Sequence, residues 1–316
     1  MTWLVLMHSA KAFRYTMKPN PISISSRPGR LLRRGILCGL FVFAGSLFAA
    51  PAAAKTHLKI STGVDVASAF QNWTAVTPWE QIKSYRNASR PLVDLLLELQ
   101  ALKAGGLDFD FELVKKLGYE QSKVEVIEGH ADLSAETIWG DEISANAKEL
   151  LSTDEIIRNG EFTKGVYVLS TNAKMLKLAS AEELRDCIGA VVSSWSLDVK
   201  TMEGMKLRDL IKTGRTEGVF QAIQKGQADF TLSEFSASPD MSTMFGEFKF
   251  LPVPNCKVAI MGSRSFIVCK ASPEADRILA ALQAGVKILR DNGTIEQAFK
   301  ESGFFNPRVA DWKRLY

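Results

Sequence analysis

The sequence predicts an α/β fold in which a first half is followed by a second half of similar design. Stretches rich in Val, Ile and Phe alternate with amphipathic stretches along residues 55–316, which is typical of strands alternating with helices around a mostly parallel sheet. A helix-to-strand turn in the first half recurs about a hundred residues later. A leader-like segment precedes both halves and indicates a protein that works outside the cytoplasm.

The first 54 residues have the order of charges and apolar residues that a removable secretory leader shows. Four arginines within residues 27–34 precede the apolar run 35–50, and residues 51–54 supply the small side chains that a signal peptidase accepts. The apolar run is shorter than the ~20 residues that a membrane-spanning helix needs. We therefore predict a cleaved signal peptide with an upstream extension, a mature chain that starts near Lys55, and a periplasmic location. An uncleaved anchor is the alternative.

The charge balance changes with this cut. The seven Lys and Arg residues of the first 54 positions would leave with the leader, and no acidic residue would leave with them. The remainder holds 32 basic and 35 acidic residues, which is a formal net charge of about −3. No basic stripe is left of the kind that binds nucleic acid or an anionic membrane, so we expect neither interaction.

The chain after the leader keeps three cysteines, Cys187, Cys256 and Cys269. In an oxidising compartment two of them can form a disulfide, and the third is then left over. Cys187 and Cys256 are the pair that we favour, because both are placed at strand edges of the same proposed lobe. Buried free thiols are the alternative. None of the three has metal-ligand spacing, and neither a metal nor a cofactor is expected.

In the first half, turn residues and helical periodicity define the elements. Ser89 and Pro91 predict the start of a helix whose leucines recur at helical spacing, and Gly105–Gly106 ends it. The other predicted elements of this half are strands at Leu58–Ser61, Phe109–Val114 and Ala131–Ala135, and a helix from Tyr119 to Gly129.

The second half repeats the alternation. Ser180 predicts the N-cap of a short helix, and Pro273–Arg290 predicts a long amphipathic helix. The other predicted elements are strands at Ile188–Val192, Asp229–Leu232 and Phe250–Val253, and helices beginning at Leu197, Phe220 and Thr294.

The recurring turn links Glu128–Leu133 with Lys225–Phe230, and in each copy a helix ends at a glycine and the chain enters a buried strand. Polar residues follow both strands. They are Glu136, Thr137 and Trp139 in the first copy, and Ser233, Glu234 and Ser236 in the second. Because ligands bind beyond the carboxyl ends of strands in open α/β sheets, we expect a cleft between two facing lobes. Chance similarity between two common turns is the alternative.

Three of these segments resemble family 3 extracellular solute-binding proteins, the periplasmic receptors for polar amino acids and related solutes. They are the Gly-x-Ala-Asp turn, Ala181–Val192, and Ile288–Phe299 with its Asp-Asn-Gly-Thr junction. The resemblance implies a two-lobed periplasmic-binding-protein fold of type II, in which each lobe is a mixed sheet flanked by helices and two crossing strands join the lobes.

The resemblance also implies where the lobes divide. Lobe 1 would consist of residues 55–166 plus 264–316, and lobe 2 of residues 167–263. The two crossings would lie near Val166–Leu169 and Ser265–Val268. Closure about this hinge would hold the solute between the lobes.

The function implied by the resemblance is capture of a small polar solute, an amino acid or a related compound, for an ABC-type permease or a membrane sensor, by a monomer. Two alternatives stay open. One is a degenerate receptor domain that signals to a membrane partner. The other is a dehydratase-like enzyme, with an acid or base among Glu136, Glu142 and Glu234. We expect no enzyme, because the sequence contains no nucleophile elbow, phosphate loop or dinucleotide fingerprint.

Ligand-binding residues are implied in lobe 2. Glu234 corresponds to the acidic residue that holds a substrate ammonium group, with a surface glutamate as the alternative. Ser194, Trp195 and Ser196 open a helix, and free backbone N–H groups at a helix N-terminus suit an anionic ligand.

In lobe 1, Thr137 corresponds to the family's ligand-binding threonine. The arginine that clamps an amino-acid carboxylate is expected five residues later, where this chain has Glu142. Glutamate cannot supply the bidentate, always-charged fork of a guanidinium group. The usual carboxylate clamp is therefore missing from its expected place.

Tryptophans complete the candidate site. Trp139 and Trp195 are predicted as apolar walls of the cleft, because pockets favour aromatic side chains, and core packing is the alternative. Trp73 lies with Phe70 and Trp79 in a segment predicted as a polar loop after the first strand, where ligand-facing aromatic residues occur. A loop pinned to the lobe surface is the alternative for these three.

Overall fold

A computed structural model describes residues 55–236 and 238–316, so the predicted leader lies outside the described residues. Within these ranges no helix combines the length and the apolar composition needed to cross a membrane. The strands are β1 Thr56–Gly63, β2 Phe109–Lys116, β3 Leu133–Ser134, β4 Ile138–Trp139, β5 Leu150–Ser152, β6 Thr163–Leu169, β7 Ile188–Val192, β8 Asp209–Thr213, β9 Thr231–Ser233, β10 Thr243–Phe245, β11 Phe248–Ala259, β12 Arg264–Ser265, β13 Ile267–Cys269 and β14 Lys313–Arg314.

The helices are α1 Val64–Thr74, α2 Arg90–Ala104, α3 Tyr119–Ile127, α4 Gly140–Ala145, α5 Ala181–Arg185, α6 Ser196–Gly204, α7 Thr216–Gln224, α8 Ala275–Asp291 and α9 Thr294–Glu301. Short 3-10 turns lie at Trp79–Gln81, Met175–Lys177 and Pro307–Val309. The alternation of strands with helices that the sequence predicts is present in both halves of the chain.

The first sheet is mixed and has the strand order β2-β1-β3-β13-β5. Its strand β1 pairs in parallel with both β2 and β3, whereas β13 runs antiparallel to β3 and β5. Parallel neighbours need a crossover connection, and α1 and α2 supply it between β1 and β2. Beside this sheet β12 and β4 form a short antiparallel pair, which matters for the site described below.

The second sheet has the order β10-β11-β6-β9, and β14 adds to the edge of β11. The parallel pair β7 and β8 joins it through a bridge between Gly189 and Phe230. Of the two predicted crossing segments, Val166–Leu169 lies within β6, and Ser265–Val268 overlaps β12 and β13. The division into lobes of 55–166 plus 264–316 and 167–263 stays a prediction.

Helices α2 and α8 pack closely because glycines stand at their contact. A Cβ atom on Gly285 would overlap the carbonyl oxygen of Ala101, and one on Gly105 would overlap that of Ala281. Any larger residue at either position would push the helices apart, so these two glycines are required by backbone approach. The close packing fixes α2, whose first turns carry residues of the site.

Two local predictions have clear outcomes. Ser180 caps α5, since its side chain accepts a hydrogen bond from the backbone N–H of Glu183 at 3.2 Å. The polar loop predicted around Phe70 and Trp73 is wrong, because both lie in α1. The helix forms because Val66, Ala67 and Phe70 recur at helical spacing and bury one face against the core, a pattern that the surrounding polar residues obscured.

The favoured disulfide between Cys187 and Cys256 is not formed: both cysteines, and Cys269, are free and buried. Two of the thiols have separate neighbours, since Cys187 Sγ lies 3.6 Å from Met175 Sδ and Cys256 Sγ lies 3.6 Å from the Leu178 carbonyl oxygen. Burial raises the pKa of Cys187 and of Cys256, which keeps both thiols protonated and unreactive.

Candidate functional site

A cleft of about 760 Å³ opens between the first sheet and the second. One wall comes from α2, α3, β4 and β12, and the facing wall comes from α6 and the end of β9. The charged residues in its lining are Arg90, Glu120, Glu136, Glu142, Lys164, Asp198, Glu234 and Arg264. The aromatic residues in its lining are Tyr119, Trp139, Phe162, Trp195 and Phe304.

Five of the seven predicted site residues line this cleft. They are Trp139, Ser194, Trp195, Ser196 and Glu234. Residues about a hundred positions apart in the chain are thus brought to one place, as the recurring helix-to-strand turn predicts. The three residues from 194 to 196 and Glu234 are exposed, so their polar groups are free to meet a solute. Their role in ligand binding stays a prediction.

Thr137 and Trp73 have other places. Thr137 is fully buried behind the cleft, where its backbone N–H and its hydroxyl donate to Asp94 Oδ2 at 3.0 and 2.8 Å. Trp73 is half-buried on α1 and packs against the core, and it is not among the residues that line the cleft. Thr137 therefore lies behind the lining of the cleft, and Trp73 is a packing residue in this structure.

Glu142, at the position expected for a clamping arginine, is neutralised by its neighbours. Lys123 Nζ lies 2.6 Å from Glu142 Oε1, and Tyr119 Oη donates to Glu142 Oε2 at 2.5 Å. Burial raises the pKa of Tyr119, so its phenol stays protonated and continues to donate. This arrangement explains how a carboxylate is tolerated where the family pattern has a cation.

Arg264 is a cleft residue that the sequence interpretation missed. Strand β12 pairs with β4, which places Arg264 opposite Trp139, and the guanidinium lies 4.5 Å from that indole ring and 5.5 Å from the ring of Tyr119. Its Nε donates to Thr137 Oγ1 at 2.9 Å, and its Nη2 donates to the Thr137 carbonyl oxygen. The fork is therefore held in one orientation.

The electrostatic surroundings of Arg264 leave its charge without a direct partner. Among the described residues no carboxylate lies within ion-pair distance of it, and the residue is 5% exposed. Burial lowers the pKa of Arg264, and the neighbouring Arg90 lowers it further. A buried guanidinium with donors to spare and a like charge beside it is a good binding site for an anion.

Arg90, in contrast, is already saturated with carboxylates. It forms ion pairs with Asp94 through Nη1 and with Glu136 Oε2 at 2.7 Å through Nη2. Burial alone would lower the pKa of Arg90, but Asp94, Glu136 and, more weakly, Glu234 together hold it above the ordinary value. Two carboxylates on one guanidinium leave no reason for it to attract another anion.

The floor of the cleft holds a further closed pair. Lys164 Nζ lies 2.6 Å from Asp198 Oδ1, and both side chains are 9% exposed. The ammonium group also lies over two aromatic rings, 5.4 Å from Phe162 and 5.2 Å from Trp195. Its charge is satisfied inside the protein, so the aromatic rings are what this part of the cleft offers a solute.

Within the described part of the chain, only two charged side chains that line the cleft take no part in an ion pair: Arg264 on one wall and Glu234 on the other. The site therefore presents one free cation and one free anion across a single cavity. Such a pair complements a molecule that carries a carboxylate at one end and an ammonium group at the other.

A sequence signal for Arg264 existed, because it is a lone charge just before the apolar stretch Phe266–Cys269.

No family model matches the sequence, and neither does any curated protein. Among solved structures, a probable amino-acid ABC transporter extracellular-binding protein from Bacillus subtilis is similar, with a TM-score of 0.52 and 13% identity over 78% of this chain and 97% of that chain. The chain has the type II periplasmic-binding-protein fold. The fold class predicted from the sequence is thereby confirmed.

Other solved structures with this fold are less similar. The L-cystine solute receptor of Neisseria gonorrhoeae has a TM-score of 0.47 and 14% identity, covering 82% of this chain and 95% of that chain. The periplasmic VFT2 domain of BvgS from Bordetella pertussis has a TM-score of 0.46 and 13% identity, covering 78% of this chain and 98% of that chain.

Proposed function

We propose that this protein captures a small polar solute outside the cytoplasm by closing two lobes of a periplasmic-binding-protein fold around it. The observation that carries the proposal is the pair of opposite charges, Arg264 and Glu234, which lie on facing walls of one cleft and have no ion-pair partner among the described residues. Every other charge in the lining is compensated by a neighbour in the protein.

In the proposed complex, the solute carboxylate binds Arg264 and its ammonium group binds Glu234. Arg264 thus takes the place of the clamping arginine that is absent at position 142. The guanidinium comes from β12 instead of the helix that follows β4, yet it reaches the same cleft because β12 pairs with β4. Its two hydrogen bonds to Thr137 orient it before the solute arrives, which lowers the entropy lost on binding.

We propose binding and not catalysis as the role of the cleft. Two of the three acid–base candidates, Glu136 and Glu142, are engaged by Arg90 and Lys123. These partners occupy carboxylate oxygens that a general acid or base would use. The third candidate, Glu234, is exposed to solvent.

The proposed setting is the periplasm, and the proposed partner is an ABC-type permease, or a membrane sensor, that receives the closed form from a monomer. The leader-like order of residues 1–54 supports export, and the similarity in fold to the Bacillus subtilis binding protein supports delivery to a transporter. The proposed hinge separates residues 55–166 plus 264–316 from residues 167–263.

The test is a thermal-shift screen of the chain from Lys55 to Tyr316. Three sets of compounds are compared at millimolar concentration: amino acids, amines without a carboxylate, and carboxylates without an amine. We expect only zwitterions to raise the melting temperature strongly, because only they can bind Arg264 and Glu234 at the same time. A ligand present at 100 times its Kd stabilises the native state by about 2.7 kcal/mol. No shift with any compound would contradict the proposed function and favour a degenerate receptor domain.

A further inference from the structure

The segment that follows α9, residues 306–316, leaves the first sheet's helical layer and docks on the second sheet. Strand β14 lies parallel to β11, and the backbone N–H of Ala259 donates to the Tyr316 carbonyl oxygen at 3.0 Å. Lys257 Nζ donates to the carbonyl oxygens of Val309 and Ala310, at 2.7 Å each. The end of the chain is therefore fixed to the sheet that delivers Glu234.

Within this segment Trp312 touches the neighbour of Glu234. Its ring meets the ring of Phe235 edge to face, with centroids 5.4 Å apart and planes at 89°. Phe235 also lies close to Gly165 of β6, where a Cβ atom would come within 2.7 Å of Phe235 Cε1. The ring of Phe235 is thus in contact with both β6 and Trp312.

The backbone beyond Glu234 is held by the same two parts of the molecule, β6 and the segment of residues 306–316. The N–H of Ser236 donates to Tyr167 Oη at 3.0 Å, and Arg308 donates to the carbonyl oxygens of Ser238, at 2.8 Å, and Pro239. Glu234 itself has no ion pair among the described residues and lies just past the end of β9. Its position therefore depends on how the residues after it are held.

We propose that Trp312 is a positioning residue for the cleft: through Phe235 it fixes Glu234 where the amine end of the solute binds. The proposal rests on the proposed function. It adds that Trp312, which does not itself line the cleft, affects how tightly the solute binds. Trp312 acts only through Glu234, so its contribution should disappear when Glu234 can no longer bind an ammonium group.

Hydrogen exchange tests the positioning without any solute. In Trp312→Ala we expect the backbone amides of residues 233–236 to exchange about tenfold faster, with those of β1 unchanged, because a local contact is lost and global stability is not. Trp312→Phe should restore most of the protection. Trp79→Ala is the matched control, since Trp79 is half-buried and packs against Phe109 and Phe111, away from Glu234. Unchanged exchange at residues 233–236 in Trp312→Ala would overturn the proposal.

A double-mutant cycle tests the link to binding, with the twenty standard L-amino acids titrated singly by calorimetry. For any that bind, we expect Trp312→Ala to weaken affinity about tenfold in the wild-type background and less than twofold in the Glu234→Gln background. Equal losses in both backgrounds would show a structural effect and overturn the proposal, as would full affinity in Glu234→Gln. If no amino acid binds, the proposed function fails in this form, while the exchange experiment still decides whether Trp312 positions Glu234.

Discussion

The two walls of the cleft differ in how their polar groups are satisfied. On the wall of the first sheet, Arg90, Glu136, Thr137 and Arg264 are buried, or nearly so, and linked by hydrogen bonds and ion pairs. On the facing wall, residues 194–196 and Glu234 are exposed, and Glu234 has no ion-pair partner among the described residues. One wall is organised by contacts within the protein, and the other leaves a charge that the proposed solute would complete.

The organised wall lies beside a carboxyl group, that of Glu98, whose burial is unfavourable for its charged form. Asp94, at its centre, lies one helical turn from Glu98, which is fully buried and has no hydrogen-bond partner for either carboxylate oxygen among the described residues. Burial raises the pKa of Glu98 well above its ordinary value, and the charge of Asp94 raises it further. Preorganisation thus comes with a buried acid that is stable only in its protonated form.

The largest effect is expected from Arg264→Ala, which removes the free cation of the organised wall. Affinity for the amino acid that binds best should fall at least a hundredfold, because loss of a buried, hydrogen-bonded charge partner costs about 2–5 kcal/mol. Thr137 and Asp94 would also lose their neighbour, so the midpoint of urea unfolding should fall. Arg158→Ala, at an exposed arginine outside this cleft, is the control and should leave the affinity unchanged.

Calorimetric titration of both variants decides the outcome. An affinity for the same amino acid within about threefold of wild type in Arg264→Ala would show that the carboxylate binds elsewhere. A loss of similar size in Arg158→Ala would show that general electrostatics, and not the cleft, determines binding.

The open wall and Trp139 of the other wall are the parts of the site that could be predicted from the sequence. Residues 194–196 are contiguous at the start of α6, and Glu234 follows a turn that repeats an earlier one, so local patterns are enough to find them. Much of the fold was predictable for the same reason. Ser180, the glycines that end helices and the alternating apolar stretches are all local signals.

The arginines of the organised wall could not be predicted, because their place in it depends on pairing between distant segments. Arg90 begins α2 and Arg264 lies in β12, and only the antiparallel pairing of β12 with β4 brings Arg264 to Thr137. The absence of an arginine at position 142 is a local observation, and a cation that reaches the cleft from another strand cannot be found from that segment alone.

A second prediction concerns Glu98, the buried carboxyl group beside the organised wall. Glu98→Gln keeps the size and shape of the side chain and removes its titration. Between the ordinary pKa of a glutamate and the raised pKa of Glu98, the folded state holds a proton that the unfolded state has released. Stability due to this group is therefore complete at low pH and is lost as the pH rises, by up to about 1.4 kcal/mol for each pH unit.

We expect the free energy of unfolding of Glu98→Gln to exceed that of the wild type at pH 7, with a difference that shrinks toward zero below about pH 4.5. Urea unfolding of both proteins at several pH values measures this difference. Carboxylates whose pKa is lowered in the folded state, such as Glu296, contribute equally to both proteins, so their contribution to the difference cancels. Glu296→Gln, at an exposed site, is the control. A difference between wild type and Glu98→Gln that is independent of pH would mean that Glu98 does not titrate in this range.

The smallest effect on the fold is expected from Glu234→Gln, on the open wall. Because this carboxylate is exposed and forms no ion pair within residues 55–236 and 238–316, its loss should change the free energy of unfolding by no more than about 0.5 kcal/mol. Affinity for the amino acid should nevertheless fall about tenfold, since a hydrogen bond to a charged group contributes about 1.5–3 kcal/mol and glutamine retains part of it. Binding and stability are therefore separable on this wall and coupled on the other. A loss of stability in Glu234→Gln as large as that in Arg264→Ala would remove the distinction between the two walls, and it would mean that both are organised before the solute binds.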